Sequence, residues 1–190
     1  CTHDDPEGRK TIYDLLPAKF RHLNYVGRLD YESHGLIILT NSGSLNETLT
    51  HPRHAVEKEY EVMLDRPFQP EDTPKLLDGI RLAEGLARAE SVHFQARKRL
   101  TVVLAQGYNR QVRRMFAKLE YKVRDLGRVR IGQLTDPELG SGAYRVLNSK
   151  DLQLAGSNPG GAKAKAKPGP KSRAKPGPGA PGRPPRKKST

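Results

Sequence analysis

The sequence predicts an α+β fold with a mixed, mainly antiparallel central sheet and flanking helices. Apolar runs typical of strands outnumber the helical patterns, and the regular strand–helix alternation of a doubly wound sheet is missing. The chain has 190 residues, which is enough for one ordinary domain with a sizeable core and additional segments.

The first predicted elements are short. Residues 11–16 suggest a helix that ends where a proline follows. Residues 24–30 and 36–40 are predicted strands, and the second is short and apolar, as buried strands are. Asn41 and Ser42 can cap a helix that continues to about residue 50.

Residues 56–64 begin with period-two alternation, which predicts a strand with one solvated face. Residues 70–79 are predicted to form a helix that a glycine ends. The remaining elements are two strands that we expect to pair, a helix and a last strand, at 88–96, 99–105, 109–120 and 121–131.

The end of the sequence differs in composition from the rest. Residues 156–190 contain ten basic residues, eight prolines and seven glycines, with no acid and no apolar side chain larger than alanine. Such a segment cannot bury enough apolar surface to offset its ordering entropy, so we predict a disordered basic tail. Residues 1–155 are assigned to one folded domain, which carries only +3 of the net charge of +13.

A solvated polycation favours a polyanionic partner, although a solubilising extension without a specific role remains an alternative. A membrane is disfavoured because no aromatic or aliphatic anchor accompanies the basic residues. No apolar run approaches the ~20 residues of a membrane span, and no signal peptide is visible. The single cysteine, Cys1, excludes an internal disulfide. We expect a cytoplasmic monomer.

The most informative segment is a turn that contains Asp30, between apolar runs at 25–29 and 36–39. Loops at the ends of buried strands can hold a reactive group rigidly and still leave it accessible. Arg28 precedes this carboxylate, and we expect no second acid nearby of the kind that a hydrolytic pair needs. The pattern indicates a single aspartate that acts on an anionic substrate.

The helix at 109–120 carries three arginines around an apolar stripe of Val112, Met115, Phe116 and Leu119. Arg113 lies at the edge of the stripe, where its long side chain can reach an adjoining cleft, and Asp30 is its candidate partner. Arg110 and Arg114 could face phosphates. The alternative is an ordinary amphipathic helix with a solvated basic side.

Tyr60 is the second candidate, because on a strand it shares a face with Lys58 and could stack on a base. A core aromatic is the alternative. The scattered histidines match no familiar ligand pattern, so we predict no metal site. The standard glycine-rich phosphate loops are absent from the sequence, so a nucleotide cofactor has no support and we expect no cofactor.

Three ordered segments resemble the signature motifs of one family, the pseudouridine synthases of the ribosomal-RNA branch known as the RsuA type. The segments are Gly27-Arg-Leu-Asp30 with Gly35-Leu-Ile-Ile-Leu-Thr-Asn41, Lys58-Glu-Tyr-Glu-Val62, and Gly107-Tyr-Asn-Arg-Gln-Val-Arg-Arg-Met115. The similarity extends over about residues 1–154.

The resemblance implies the family's mainly antiparallel sheet and the isomerisation of a uridine in ribosomal RNA to pseudouridine, without cofactor or metal. It implies that Asp30 is the catalytic aspartate, that Tyr60 stacks on the flipped uracil, and that Arg113 pairs with Asp30. The residues expected to contact RNA are Arg28, Lys58, Asn109, Arg110 and Arg114.

The sequence departs from the family pattern at Ser33, His34 and Gln106. The family's small RNA-binding domain and its Asn-Lys-Pro strand, which normally come first, are not in this sequence, so we expect an N-terminally incomplete catalytic domain. A non-catalytic RNA-binding or ribosome-assembly protein is the competing hypothesis. The sequence does not identify the target uridine or the ribosomal subunit.

Overall fold

The computed structural model describes residues 7–159, and it has the predicted α+β fold. Predictions about residues 1–6, and about the tail from residue 160 onward, lie outside the described residues. In chain order the strands are β1 (Asn24–Val26), β2 (His34–Gly35), β3 (Ile38–Thr40), β4 (Lys58–Leu64), β5 (Ile80–Leu82), β6 (Gly85–Ala87), β7 (Ser91–Ala96), β8 (Arg99–Leu104), β9 (Val123–Ile131) and β10 (Leu134–Thr135). The α-helices are α1 (Gly43–Thr50), α2 (Thr73–Asp78), α3 (Gln111–Lys118) and α4 (Ser149–Ala155), and short 3-10 helices lie at Ile12–Leu15, Ala18–Phe20, Pro52–His54 and Pro70–Asp72.

The central sheet has the strand order β10-β9-β4-β8-β7, and each neighbouring pair is antiparallel. The short strand β2 pairs with β9 in parallel, with Gly35 opposite Arg128. Two further antiparallel pairs, β1 with β3 and β5 with β6, lie outside this sheet. The predicted pairing of the strands at 88–96 and 99–105 is confirmed as β7 and β8.

Two apolar clusters hold the elements together. The larger one packs α3 against the sheet, with Met115 and Phe116 of α3 beside Val62 and Leu100 of the strands. Tyr60 packs against the edge of this cluster. The smaller cluster joins β1, β3, α1 and α4 to the end of β9. The predicted apolar stripe of α3 is therefore its core-facing side.

Local sequence explains where several helices begin and end. The Ser42 side chain accepts a hydrogen bond from Leu45 N–H at 3.3 Å, as the predicted N-cap of α1. Helix α2 stops at Gly79, whose φ of 110° suits glycine. Within residues 7–159, none of the helices has both the length and the apolar character that a membrane span requires.

The structure differs from the prediction in several places, and the short strands β2 and β10 are among the elements that were not predicted. The strand predicted at 24–30 ends at Val26, because Gly27 takes a φ of 68° and begins a turn. The hairpin of β5 and β6 and the helix α4 were not predicted. The side-chain amide of Asn158 accepts a hydrogen bond from Glu57 N–H and donates one to the Ala55 carbonyl, both at 2.9 Å. The folded part therefore continues past the predicted boundary at residue 155.

Candidate active site

The turn that carries Asp30 links β1 to β2. The Asp30 carbonyl accepts a hydrogen bond from Ser33 N–H at 2.9 Å, and the Asp30 side chain is 26% exposed. Its carboxylate is therefore sheltered by the turn and still reachable, as expected for a reactive group at the end of a strand.

The first turn of α3 lies against this segment. Arg110 precedes the helix in the left-handed region, with a φ of 48°. The buried Gln111 side chain accepts Tyr108 N–H at 3.0 Å and donates to Gln106 Oε1 at 3.2 Å. Gln106 in turn accepts Arg88 N–H and donates to the Leu86 carbonyl. These hydrogen bonds fix the loop that leads into α3, and they thereby position the arginines at the start of the helix.

The cation near Asp30 is Arg110. Arg110 Nη1 lies 4.0 Å from Asp30 Oδ2, and Arg110 Nη2 donates to Glu32 Oε2 at 2.8 Å. This hydrogen bond, with the charges of Arg110 and Arg113, lowers the pKa of Glu32. Glu32 lies two residues further on in the same turn, but its lowered pKa favours the ionised form, so it is not the proton-donating second acid that a hydrolytic pair needs.

The predicted ion pair between Asp30 and Arg113 is not formed in the described part of the chain, which corrects that expectation. Arg113 Nη2 donates to the Glu32 carbonyl at 2.7 Å and to Ser33 Oγ at 3.3 Å, and Nη1 donates to the Val123 carbonyl at 3.1 Å. Arg113 thus binds the backbone of the Asp30 turn. A helical wheel gives the direction of a side chain but not the position of the turn that it meets.

Lys58 does not face a nucleic-acid surface, contrary to the prediction. Its Nζ atom donates to the carbonyls of Leu49 and Val56 at 2.9 and 2.8 Å. Burial, followed by the nearby charge of Arg128, lowers the pKa of Lys58 to about 8. The ammonium group is directed into the protein.

The other predicted RNA contacts differ in their surroundings. Arg28 and Asn109 are exposed. Arg114 already has partners within the protein. Its guanidinium donates to both carboxylate oxygens of Glu84, at 2.7 and 2.8 Å, and also to the Asn109 carbonyl. Glu84 lies between β5 and β6, so this bidentate pair attaches the unpredicted hairpin to α3.

Asp30 lines a cavity of about 1140 Å³. Arg28, Asn109 and Arg110 also line the cavity, and its other side is largely apolar. Tyr60 and Arg113 are not among its lining residues. Tyr60 is half-buried on β4, where its register partner is Arg128 of β9, the residue opposite Gly35. Thus the structure places Asp30 and Arg110 in one cavity, while Tyr60 lies on β4, which β9 separates from β2.

Sequence reasoning missed Arg128, which lies within the sheet. Its side chain is buried, and its Nε atom donates to the Leu36 carbonyl at 2.7 Å. A buried arginine carries no distinctive sequence signal, although its neighbours Val129 and Ile131 belong to a strand-like run. Among residues 7–159 no group of three or more His, Cys, Asp or Glu side chains could hold a metal ion.

Comparison with known proteins identifies the family. The sequence profile described as RNA pseudouridylate synthase matches residues 1–118. The chain is 38% identical over 159 residues to ribosomal large subunit pseudouridine synthase B of Vibrio vulnificus, covering 80% of this chain and 49% of that protein. It is 31% identical over 160 residues to ribosomal small subunit pseudouridine synthase A of Yersinia pestis, covering 83% of this chain and 68% of that protein.

A solved structure described as the crystal structure of pseudouridylate synthase matches with a TM-score of 0.73 and 31% sequence identity. The match covers 76% of this chain and 65% of that one. The chain spans about half the length of the large-subunit relatives. The resemblance inferred from the motifs is confirmed, and the chain belongs to the RNA pseudouridylate synthase family.

Proposed function

We propose that this protein converts a uridine in ribosomal RNA to pseudouridine, with Asp30 as the catalytic carboxylate. The observation that carries the proposal is the placement of Asp30 in a cavity with Arg28 and Arg110, in a chain of this family. The relatives' names, which specify ribosomal subunits, support ribosomal RNA as the substrate. We further propose that the reaction takes place in the cytoplasm and that a monomer performs it.

The reaction breaks the bond between N1 of uracil and C1′ of the ribose, turns the base over and rejoins it through C5. Product and substrate are isomers, so no oxidant or reductant is consumed. Asp30 acts on the ribose either as nucleophile or as base, and both roles require its ionised form. Arg110, 4.0 Å away, favours that form.

The target base must leave its stack, which costs a few kcal/mol and calls for a platform in the protein. In the proposal Tyr60 supplies this platform, and its phenolic oxygen takes the proton from C5. Arg113 acts as a positioning residue, since its bonds to Glu32 and Ser33 hold the Asp30 turn. The exposed Arg28 and Asn109, with Arg110, face the RNA backbone.

The test is to incubate the chain with ribosomal RNA transcripts and to map pseudouridine chemically. Asp30→Asn is expected to fold and to bind RNA, but to form no pseudouridine, because a neutral amide can neither attack the ribose nor accept a proton. Asp78→Asn, which changes an exposed aspartate at the end of α2, is the matched control and should retain activity.

Detectable turnover by Asp30→Asn would refute the assignment of the catalytic carboxylate. RNA binding by the wild-type protein without conversion on any ribosomal RNA would favour the competing hypothesis of a non-catalytic RNA-binding protein.

A further inference from the structure

Arg128 is a buried guanidinium that no carboxylate balances within residues 7–159. The residue is 4% exposed, and its Nη2 atom is buried without a hydrogen-bond partner. The ion pairs between described residues do not include it. An unpaired buried charge is costly for folding, so its presence indicates a role in function.

Lys58 is a second cation beside Arg128. Its Nζ atom is bound only by two backbone carbonyls among the described residues, and Arg128 is one of the causes of its lowered pKa, after burial. Two neighbouring like charges in a region of low dielectric repel each other. The free-energy cost of this repulsion is reduced when a negative charge forms close to the two cations.

Arg128 also connects the Asp30 segment to the Tyr60 strand. Its carbonyl accepts Leu36 N–H at 2.8 Å, and its Nε atom donates to the Leu36 carbonyl at 2.7 Å. A Cβ atom on Gly35 would lie 2.2 Å from the Arg128 carbonyl oxygen, so the two backbones are in closest contact there. On its other side, Arg128 is the register partner of Tyr60.

We infer that Arg128 is a positioning residue that fastens the Asp30 segment beside Tyr60, and that its unbalanced charge, together with that of Lys58, stabilises negative charge on the reacting uracil. This inference rests on the proposed function. It goes beyond that function because it assigns an electrostatic role to a residue buried in the sheet and lying after the part of the chain that the family profile matches.

The chemistry explains why a cation is useful at this place. When the N1–C1′ bond breaks, its electron pair leaves with uracil, whether Asp30 captures C1′ or removes a ribose proton. The base is then an anion until its C5 bonds to C1′, a step in which the ester bond between C1′ and Asp30 breaks or the abstracted proton returns to the ribose. C5 then loses its proton and N1 gains one. A fixed cation in a site of low dielectric stabilises this anion without touching it, because it needs no reorganisation during the reaction.

Three substitutions separate the hydrogen bond from the charge. In Arg128→Gln the amide nitrogen stands at the chain position of Nε, so it can keep the bond to the Leu36 carbonyl while the charge is lost. Arg128→Lys keeps the charge, and Arg128→Met removes both. Arg124→Gln, an exposed arginine of the same strand, is the matched control. Single-turnover rates at saturating ribosomal RNA, KM and Tm are measured for each variant.

We expect Arg128→Gln to have a Tm at or above that of the wild type, because it removes an unpaired buried charge and keeps the hydrogen bond. Its KM should stay within about threefold of the wild type, while kcat falls roughly 10- to 100-fold. Arg128→Lys should retain more of kcat than Arg128→Gln. Arg128→Met should lose both rate and Tm, and Arg124→Gln should match the wild type.

Two results would overturn the inference while leaving the proposed function intact: a wild-type kcat in Arg128→Gln, or rate losses across the series that follow Tm alone with no advantage for Lys over Gln. A wild-type protein that forms no pseudouridine would instead contradict the proposed function itself, and this inference with it.

Discussion

Replacing Lys58 with methionine is expected to change how the free energy of unfolding depends on pH. In the folded protein burial and Arg128 lower the pKa of Lys58 from 10.5 to about 8. The folded protein therefore binds this proton less tightly than the unfolded chain does. Folding carries a cost at pH values below 8, and this cost disappears as the pH rises toward 10.5.

The magnitude follows from the two pKa values. At about 1.4 kcal/mol per pKa unit, the cost is about 3 kcal/mol where both states are protonated. About 2 kcal/mol of it is removed between pH 7 and pH 9.5. Methionine is similar in length and cannot titrate. Over this interval the free energy of unfolding of the wild type should thus rise by about 2 kcal/mol relative to that of Lys58→Met.

Urea unfolding of both proteins at several pH values between 7 and 9.5 measures this difference. The variant also loses the hydrogen bonds to the carbonyls of Leu49 and Val56. The lysine side chain can donate these bonds in either protonation state, so the stability lost with them is nearly independent of pH. Lys118→Met, at an exposed position of α3, controls for the removal of one lysine. A constant difference between wild type and Lys58→Met across the range would refute the argument.

Two further predictions concern the turn and the tail. Gly35→Ala should lower the free energy of unfolding by at least about 2 kcal/mol, because the residue has a φ of 104° and a Cβ would collide with the Arg128 backbone. Gly43→Ala, at the start of α1 with nothing within 4 Å of its Cβ position, is the control, and thermal unfolding of both variants shows whether the loss is specific to Gly35. Deleting residues 160–190 removes ten basic side chains and keeps Asn158. In salt titrations of ribosomal RNA binding, the slope of log K against log salt should become shallower by roughly 0.7 per lost phosphate contact, and an unchanged slope would mean that the tail does not contact RNA.

The sequence was sufficient to predict the elements that have strong local patterns. The alternation in β4, the apolar stripe of α3 and the cap of α1 are properties of neighbouring residues, and each was found where predicted. The hairpin of β5 and β6 was missed because strands of three residues are too short to display a period. Helix α4 was missed although Asn148 and Asp151 form a capping box, a signal that was present in the sequence.

The turn that contains Asp30 was predicted from the sequence, but the contacts of the side chains around it were not. Asp30 was placed correctly in a turn after a strand, because glycine and flanking apolar runs mark such turns locally. Arg113 and Lys58 both donate to backbone carbonyls, and the pattern of side chains in the sequence does not indicate where a carbonyl will lie.

The contacts of the three arginines around the Asp30 segment explain how one site can be both rigid and cationic. Arg113 and Arg128 use their guanidinium groups to bind backbone carbonyls of Glu32 and Leu36, so both fix the segment through its backbone. Arg113 Nε also lies 3.7 Å from the Glu32 carboxylate, whereas Arg128 has no carboxylate partner among the described residues. Arg110 differs, since its carboxylate partner Glu32 is 58% exposed and its own side chain is 42% exposed. Exposed ion pairs contribute little to stability, so an RNA phosphate can replace Glu32 at Arg110 at small cost. In the proposed function, Arg113 and Arg128 keep the position of Asp30 while the exposed Arg110 exchanges Glu32 for the RNA.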